Sequence, residues 1–171
     1  ISEVSTKRTF YIPIGYVNAD TLSSNKLRIM KEATLYHFGV TQSITHMAWM
    51  RYTTGRLKSD YQYSVNLVYN NFPWPDASEK QRTAIEKAAQ AVLDARASFA
   101  DSTLADLYDP LTMPPALLKA HQQLDKAVDA AYGPGNFVTE GRAFRDSYVL
   151  IKQGLLKEPV IRKERKEAAD E

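Results

Sequence analysis

In the segment Gly55-Arg56-Leu57-Lys58-Ser59-Asp60-Tyr61-Gln62-Tyr63-Ser64, the charged residues Arg56, Lys58 and Asp60 alternate around Leu57 and Ser59. If this glycine-started segment is extended, Lys58 and Asp60 project from one face, because side chains two apart on a strand point the same way. A lysine donates to N7 and O6 of guanine and an aspartate accepts from N4 of cytosine. Such a pair therefore has the chemistry to read both edges of a G·C pair in a major groove. Arg51, Arg56, Ser59 and Ser64 are of the types that hold phosphate oxygens and could supplement it. Tyr61 and Tyr63 could join them, although tyrosines alternating on a strand more often face a core. A surface ion pair between Lys58 and Asp60 at the entry to a strand is the alternative, and the pattern leaves both open.

Other chemistries lack their parts. The chain has no cysteine, which removes disulfides, thiolate zinc sites and cysteine nucleophiles together and makes a reducing, cytoplasmic compartment the simplest expectation. His37, His46 and His121 lie far apart, without an i, i+4 partner or a metalloprotease glutamate, so no metal site is expected. His121 reads as an edge-of-core residue on a helix stripe. The seven glycines are scattered, without the glycine-rich turn after a strand that holds a cofactor. Asn71-Phe72-Pro73-Trp74 superficially resembles the Asn-Pro-Pro-aromatic loop with which amino-methyltransferases grip a flipped base, but a phenylalanine replaces the first proline. An inter-domain turn with a buried Trp74 is the expectation there. Asp106 and Asp109 fall at a helix end, where a cap or a solvated turn accounts for them. No catalytic, cofactor or metal site is expected in this chain.

The elements that must position the Lys58 segment read as α+β. Residues 8–16 place Phe10, Ile12, Ile14 and Tyr16 at period two, a strand that Pro13 would confine to a sheet edge. Residues 33–39 form a second β-rich run. Between Thr41 and Tyr52 the period changes to that of a helix, with Ile44, Met47, Ala48 and Arg51 on one face, Thr41 or Ser43 as cap, and Gly55 ending it. Residues 61–69 alternate strictly and predict a third strand.

Asn70 to Asp76 break regular structure, and the pattern beyond is helical. Ser78-Glu79-Lys80-Gln81 has the form of a capping box, followed by a stripe of Ile85, Ala88, Ala89, Val92, Leu93 and Phe99. A short helix is expected at Leu104 to Tyr108. Pro114-Pro115 opens another, with Leu117, Leu118, His121, Leu124, Val128 and Ala131 as its stripe and Gly133-Pro134-Gly135 as its stop. Thr139 can cap a last helix carrying Phe144, Tyr148, Ile151 and Leu155 inward, before a charged, frayed end. The division is thus a mixed α/β part, residues 1–75, and an all-α part, residues 76–171.

Charge separates the same two parts. Residues 1–75 hold eight Lys and Arg against four acids, a net of +4, and the remainder hold fourteen against sixteen, a net of −2. A polyanionic partner belongs to the first part. The longest apolar runs fall far short of the roughly 20 residues a membrane span needs. The first residues carry no signal-peptide hydrophobic region, and a start at Ile1 rather than Met points to a piece of something longer.

The blocks RTFYIPIGY, ATLYHFGV, SITHMAWMRYTTGRLKSDYQYS, LVYNNFPWP, VLDARASF and TLADLYDPLTMPPALLKAHQQLDKAVDAAYG follow one another in an order that resembles the C-terminal end of MmeI-type DNA methyltransferases, from Arg8 to Gly133. These are large bacterial adenine-N6 methyltransferases of restriction-modification systems, some fused to a nuclease. The resemblance implies that residues 1–75 complete a DNA target recognition domain and that residues 76–171 are the small helical C-terminal domain. It implies double-stranded DNA as partner and an upstream methyltransferase core in the same polypeptide, with S-adenosylmethionine bound by that core and not by this chain. It also implies that Lys58 and Asp60 match the variable positions at which the family chooses a base pair. A protein-interaction module, docking the methyltransferase on a partner subunit, is the competing reading, which the near-neutral overall charge favours.

Overall fold

Capping side chains decide most of the helix boundaries. The computed structural model describes residues 1–132 apart from Lys7, Ala19 and Ser59. The Gly133-Pro134-Gly135 stop and the expected last helix lie outside the described residues.

Helix α1 spans Leu35–Thr41, where the β-rich composition predicts a strand. The local reason is Thr34, whose side chain accepts from the His37 backbone amide while its own amide donates to His37 Nδ1 at 3.3 Å, a reciprocal cap. The tertiary reason is Gly39. A Cβ there would lie 2.8 Å from Ile85 Cγ2 and 3.2 Å from Ala89 Cβ, so the missing side chain lets this helix press against the next long one. Burial of Tyr36, Phe38 and Val40 then outweighs their preference for strands.

Helix α2, Ile44–Thr53, has Ser43 as its cap and buries Ile44, Met47 and Ala48, the expected face. Helix α3, Glu79–Ala97, starts at the expected capping box, with the Ser78 amide donating to Gln81 Oε1 at 2.9 Å. Helix α4, Leu104–Tyr108, is capped by Thr103 and Asp106, so Asp106 serves as the helix-end residue its position suggests, and Asp109 accepts from the Leu111 amide in the following turn. Helix α5, Pro115–Ala131, opens with proline at its first position and carries Leu117, His121, Leu124 and Val128 inward.

Helix α3 packs along α5, and α1 packs on both. The resulting core runs without a break across residue 76, joining Tyr11, Ile12, Phe38 and Met47 to Ile85, Leu117 and Leu124. Trp74 lies half-buried in the irregular segment 72–78, its ring against Tyr36, His37, Tyr69 and Phe72. No helix among the described residues is long and apolar enough to cross a membrane.

The strands are short. Strands β1 (Val4–Ser5), β2 (Gly55–Leu57) and β3 (Asp60–Gln62) form an antiparallel sheet in the order β1-β3-β2. Residues 8–16 form no strand. Ile12 and Ile14 are buried as the period-two pattern demands, but Phe10 and Tyr16 remain about half exposed at 45% and 50%, and Tyr11 of the opposite face is buried. Side chains take the place of a ladder: Arg51 donates to the Thr9 carbonyl at 2.7 Å, Gln42 to that of Ile12 at 2.5 Å, and Arg96 to that of Ile14 at 2.6 Å.

The expected strand over residues 61–69 stops at Gln62, and Val65–Tyr69 forms a π-helical turn instead. Ser64 accepts from the Leu67 amide at 3.3 Å and the Trp49 indole donates to the Val68 carbonyl at 2.9 Å, two side-chain bonds that hold the turn. Val68 is therefore buried and Leu67 exposed, the reverse of what the alternation predicts.

Candidate nucleic-acid interface

Strand β2 leaves α2 after a single residue, Thr54, and pairs with β3 in the register Gly55↔Gln62, Arg56↔Tyr61, Leu57↔Asp60. Because Leu57 faces Asp60, the connection is two residues long, Lys58 and Ser59, the latter outside the described residues. Lys58 has φ 57°, in the left-handed region that two-residue hairpins demand and that is rare for side chains other than Gly, Asn and Asp. The extended segment that would put Lys58 and Asp60 on one face is therefore not formed. Lys58 stands exposed at the tip, and Asp60 begins the returning strand, partly buried. They do not pair with each other, since the ion pairs among the described residues join Glu3 to Lys26 and to Arg28. Hence the surface ion pair weighed as the alternative is also not formed.

Behind the tip the hairpin is anchored on its aromatic side. Tyr61 of β3 and Tyr63 just beyond it are both buried in the core. Arg56 lies with Cζ 4.5 Å from the Tyr61 ring centroid and remains largely exposed. Arg51 approaches the same ring at 5.6 Å and is half-buried by its bond to the Thr9 carbonyl, which makes it a brace of the hairpin. Ser64 caps the π-helical turn and lines an open polar groove of about 500 Å³ with Glu3, Arg28, Gln62 and Asn66. Glu3, in that groove, takes Arg28 at 3.2 Å and accepts from Gln62 Nε2 at 3.4 Å. Nothing in the sequence marks Glu3, Arg28 and Gln62 as neighbours, because the β1–β3 pairing brings in Gln62 and the Ser2↔Leu27 bridge brings in Arg28.

The histidines are structural. His37 belongs to the α1 cap, His46 Nε2 lies 3.0 Å from the Tyr63 hydroxyl, and His121 Nε2 lies 2.7 Å from that of Tyr108. His121 is fully buried, not at the core edge, and stacks on Tyr11 with centroids 4.0 Å apart. Burial holds both His46 and His121 neutral, pushing each down to about 3 from an ordinary 6.5. No group of three potential metal ligands occurs among the described residues.

The hairpin thus carries charges at its tip and is braced from behind by the helical part of the fold. Residues 1–76 match the family model described as the MmeI target recognition domain and residues 77–153 that of the MmeI C-terminal domain, so the chain belongs to the MmeI family. It is 41% identical over 140 residues to DNA methyltransferase A of Bacillus subtilis, covering 82% of this chain and 16% of that protein. A solved structure of the Type IIL restriction-modification enzyme MmeI in complex with DNA superposes with a TM-score of 0.79 at 45% identity, over 90% of this chain and 21% of that one. The chain thus spans about a fifth or less of the length of the relatives it matches.

Proposed function

We propose that this chain supplies DNA target reading and helical support to a site-specific DNA (adenine-N6) methyltransferase of a restriction-modification system. Residues 1–75 complete its recognition domain and enter the major groove of double-stranded DNA, and residues 76–171 form the helical domain that steadies it. Methyl transfer from S-adenosylmethionine belongs to a core elsewhere in the same polypeptide, and the base contacts decide which adenine is flipped into that core. The observation that carries this reading is the tip itself: Lys58 lies in a two-residue turn and Asp60 directly follows it, the two do not neutralise each other, and they rest on a hairpin anchored by buried tyrosines. Lys58 presents donors to guanine and Asp60 acceptors to cytosine. Arg56, with Ser59 and Ser64, supplies phosphate contacts, which strengthen binding to all sequences alike. Arg51 serves as the brace behind them.

The test uses the full-length enzyme. Genomic DNA is methylated, modified adenines are mapped by single-molecule sequencing, and the experiment is repeated with Lys58 and Asp60 exchanged for a differently patterned pair. The expected result is a motif altered at one base pair, with about 1–3 kcal/mol of discrimination moved from the old pair to the new. Retained activity on an unchanged motif would remove Lys58 and Asp60 from base reading. A folded, active protein that methylates no adenine would remove the methyltransferase reading itself. The interaction-module reading predicts a DNA affinity independent of salt, whereas phosphate contacts give a steep negative slope.

A further inference from the structure

Helix α5 carries two aspartates, Asp125 and Asp129, one turn apart beside its apolar stripe, and both reach across to the start of α2. Asp125 Oδ1 accepts from the Ile44 amide at 2.8 Å, one of the donors that the first turn of a helix leaves without a partner. Its Oδ2 accepts from the Tyr11 hydroxyl at 2.7 Å, and Asp129 Oδ1 accepts from the Thr45 hydroxyl at 3.1 Å. A carboxylate half-buried between two helices carries a desolvation cost that an apolar residue there would not. A negative charge at a helix N-terminus is also favoured by the helix dipole.

The other end of α2 is the hairpin. Thr54 alone separates α2 from β2, Arg51 in the last turn braces Tyr61, and His46 in the first turn and a half bonds Tyr63 just beyond β3. No slack joins the two ends, so a shift of α2 relative to α5 is transmitted to the tip.

We propose that Asp125 is a positioning residue for base reading: it clamps the start of α2 and Tyr11 to the helical domain and so sets where the hairpin presents Lys58 and Asp60. This rests on the function proposed above. The experiment uses the full-length methyltransferase and measures the ratio of methylation at the cognate site to that at sites altered at a single base pair. One altered pair is the one identified by the Lys58 and Asp60 exchange, and the others are pairs read elsewhere. Asp125→Ala is expected to lower the ratio at the hairpin-read pair by about two- to thirtyfold and to leave the other ratios unchanged. Asp125→Asn keeps the acceptor for Ile44 and is expected to restore most of the discrimination. Tyr11→Phe removes only a hydroxyl and serves if Asp125→Ala does not fold; it is expected to lower the same ratio by about twofold. Equal loss at all pairs, or an unchanged ratio with a lowered melting temperature, would make Asp125 merely structural. If the exchange of Lys58 and Asp60 leaves the motif unchanged, the reading of the hairpin fails first and this inference fails with it.

Discussion

The hairpin tip and the Arg96 cluster are both built from charged and aromatic side chains, yet one spends its polarity outward and the other inward. At the tip, Lys58 and Asp60 find no partner in each other, and Lys58 sits at a φ of 57°. In the cluster, Arg96 donates to the Tyr108 hydroxyl at 2.8 Å, to the Ile14 carbonyl at 2.6 Å and to Gln42 Oε1 at 2.8 Å, with the rings of Phe38 and Tyr108 about it. A satisfied buried network specifies one arrangement of the elements that share it. Arg96 of α3 thereby locks residues from both parts of the chain, leaving a platform from which the exposed tip can project.

Removing the lock should have the largest effect. Arg96→Ala leaves the Ile14 carbonyl without its donor, removes one donor each from Gln42 and Tyr108, and opens a cavity. We expect it to cost at least about 3 kcal/mol in chemical denaturation, and a cost near zero would show that the cluster is not the lock.

Acid attacks the same interior. Neutral His46 and His121, each held near 3 against an ordinary 6.5, contribute stability that is complete above pH 6.5 and is lost as pH falls toward 3. Asp125 has the opposite sign: burial pushes it up to about 6 from 3.8, so its contribution is present below 3.8 and lost as pH rises through 6. Between pH 4 and 6 two histidines oppose one carboxyl. Stability should therefore rise with pH by about 1.4 kcal/mol per unit; a flat profile in denaturant titrations would mean that solvent reaches the histidines.

Gly39→Ala introduces a Cβ that Ile85 and Ala89 leave no room for and should cost about 1–3 kcal/mol, read as a lowered denaturation midpoint with DNA discrimination intact once folded. The smallest stability effect belongs to the tip and has the reverse sign. Lys58→Gly relieves the left-handed backbone and is expected to stabilise the fold by about 0.5–1 kcal/mol, while discrimination at one base pair is lost. A variant that is destabilised and equally specific would erase the contrast between tip and lock.

The helices of the second part were legible because their signals are local. The Ser78 box satisfies helix-end donors with neighbours in sequence, and the proline opening of α5 presets the backbone of its first turn. The candidate charges were legible for a similar reason, as Lys58 and Asp60 stand out by type and spacing. Their geometry was not, since alternation cannot reveal that the chain turns back between them. Likewise the strand expected over residues 8–16 buries Ile12 and Ile14 but has no ladder, because Arg51, Gln42 and Arg96 supply its bonds from 30 to 82 residues away.

The sequence by itself determined the caps, the stripes, the charge asymmetry and the family to which the chain belongs, all of which depend on residues near one another along the chain. Tertiary structure alone decided that a β-rich run becomes α1 against α3, that Val65–Tyr69 coils instead of extending, and that Asp125 reaches the start of α2. Those outcomes turn on burial and on hydrogen-bond partners distant in sequence, and such long-range terms outweigh local propensities of a few tenths of a kcal/mol per residue.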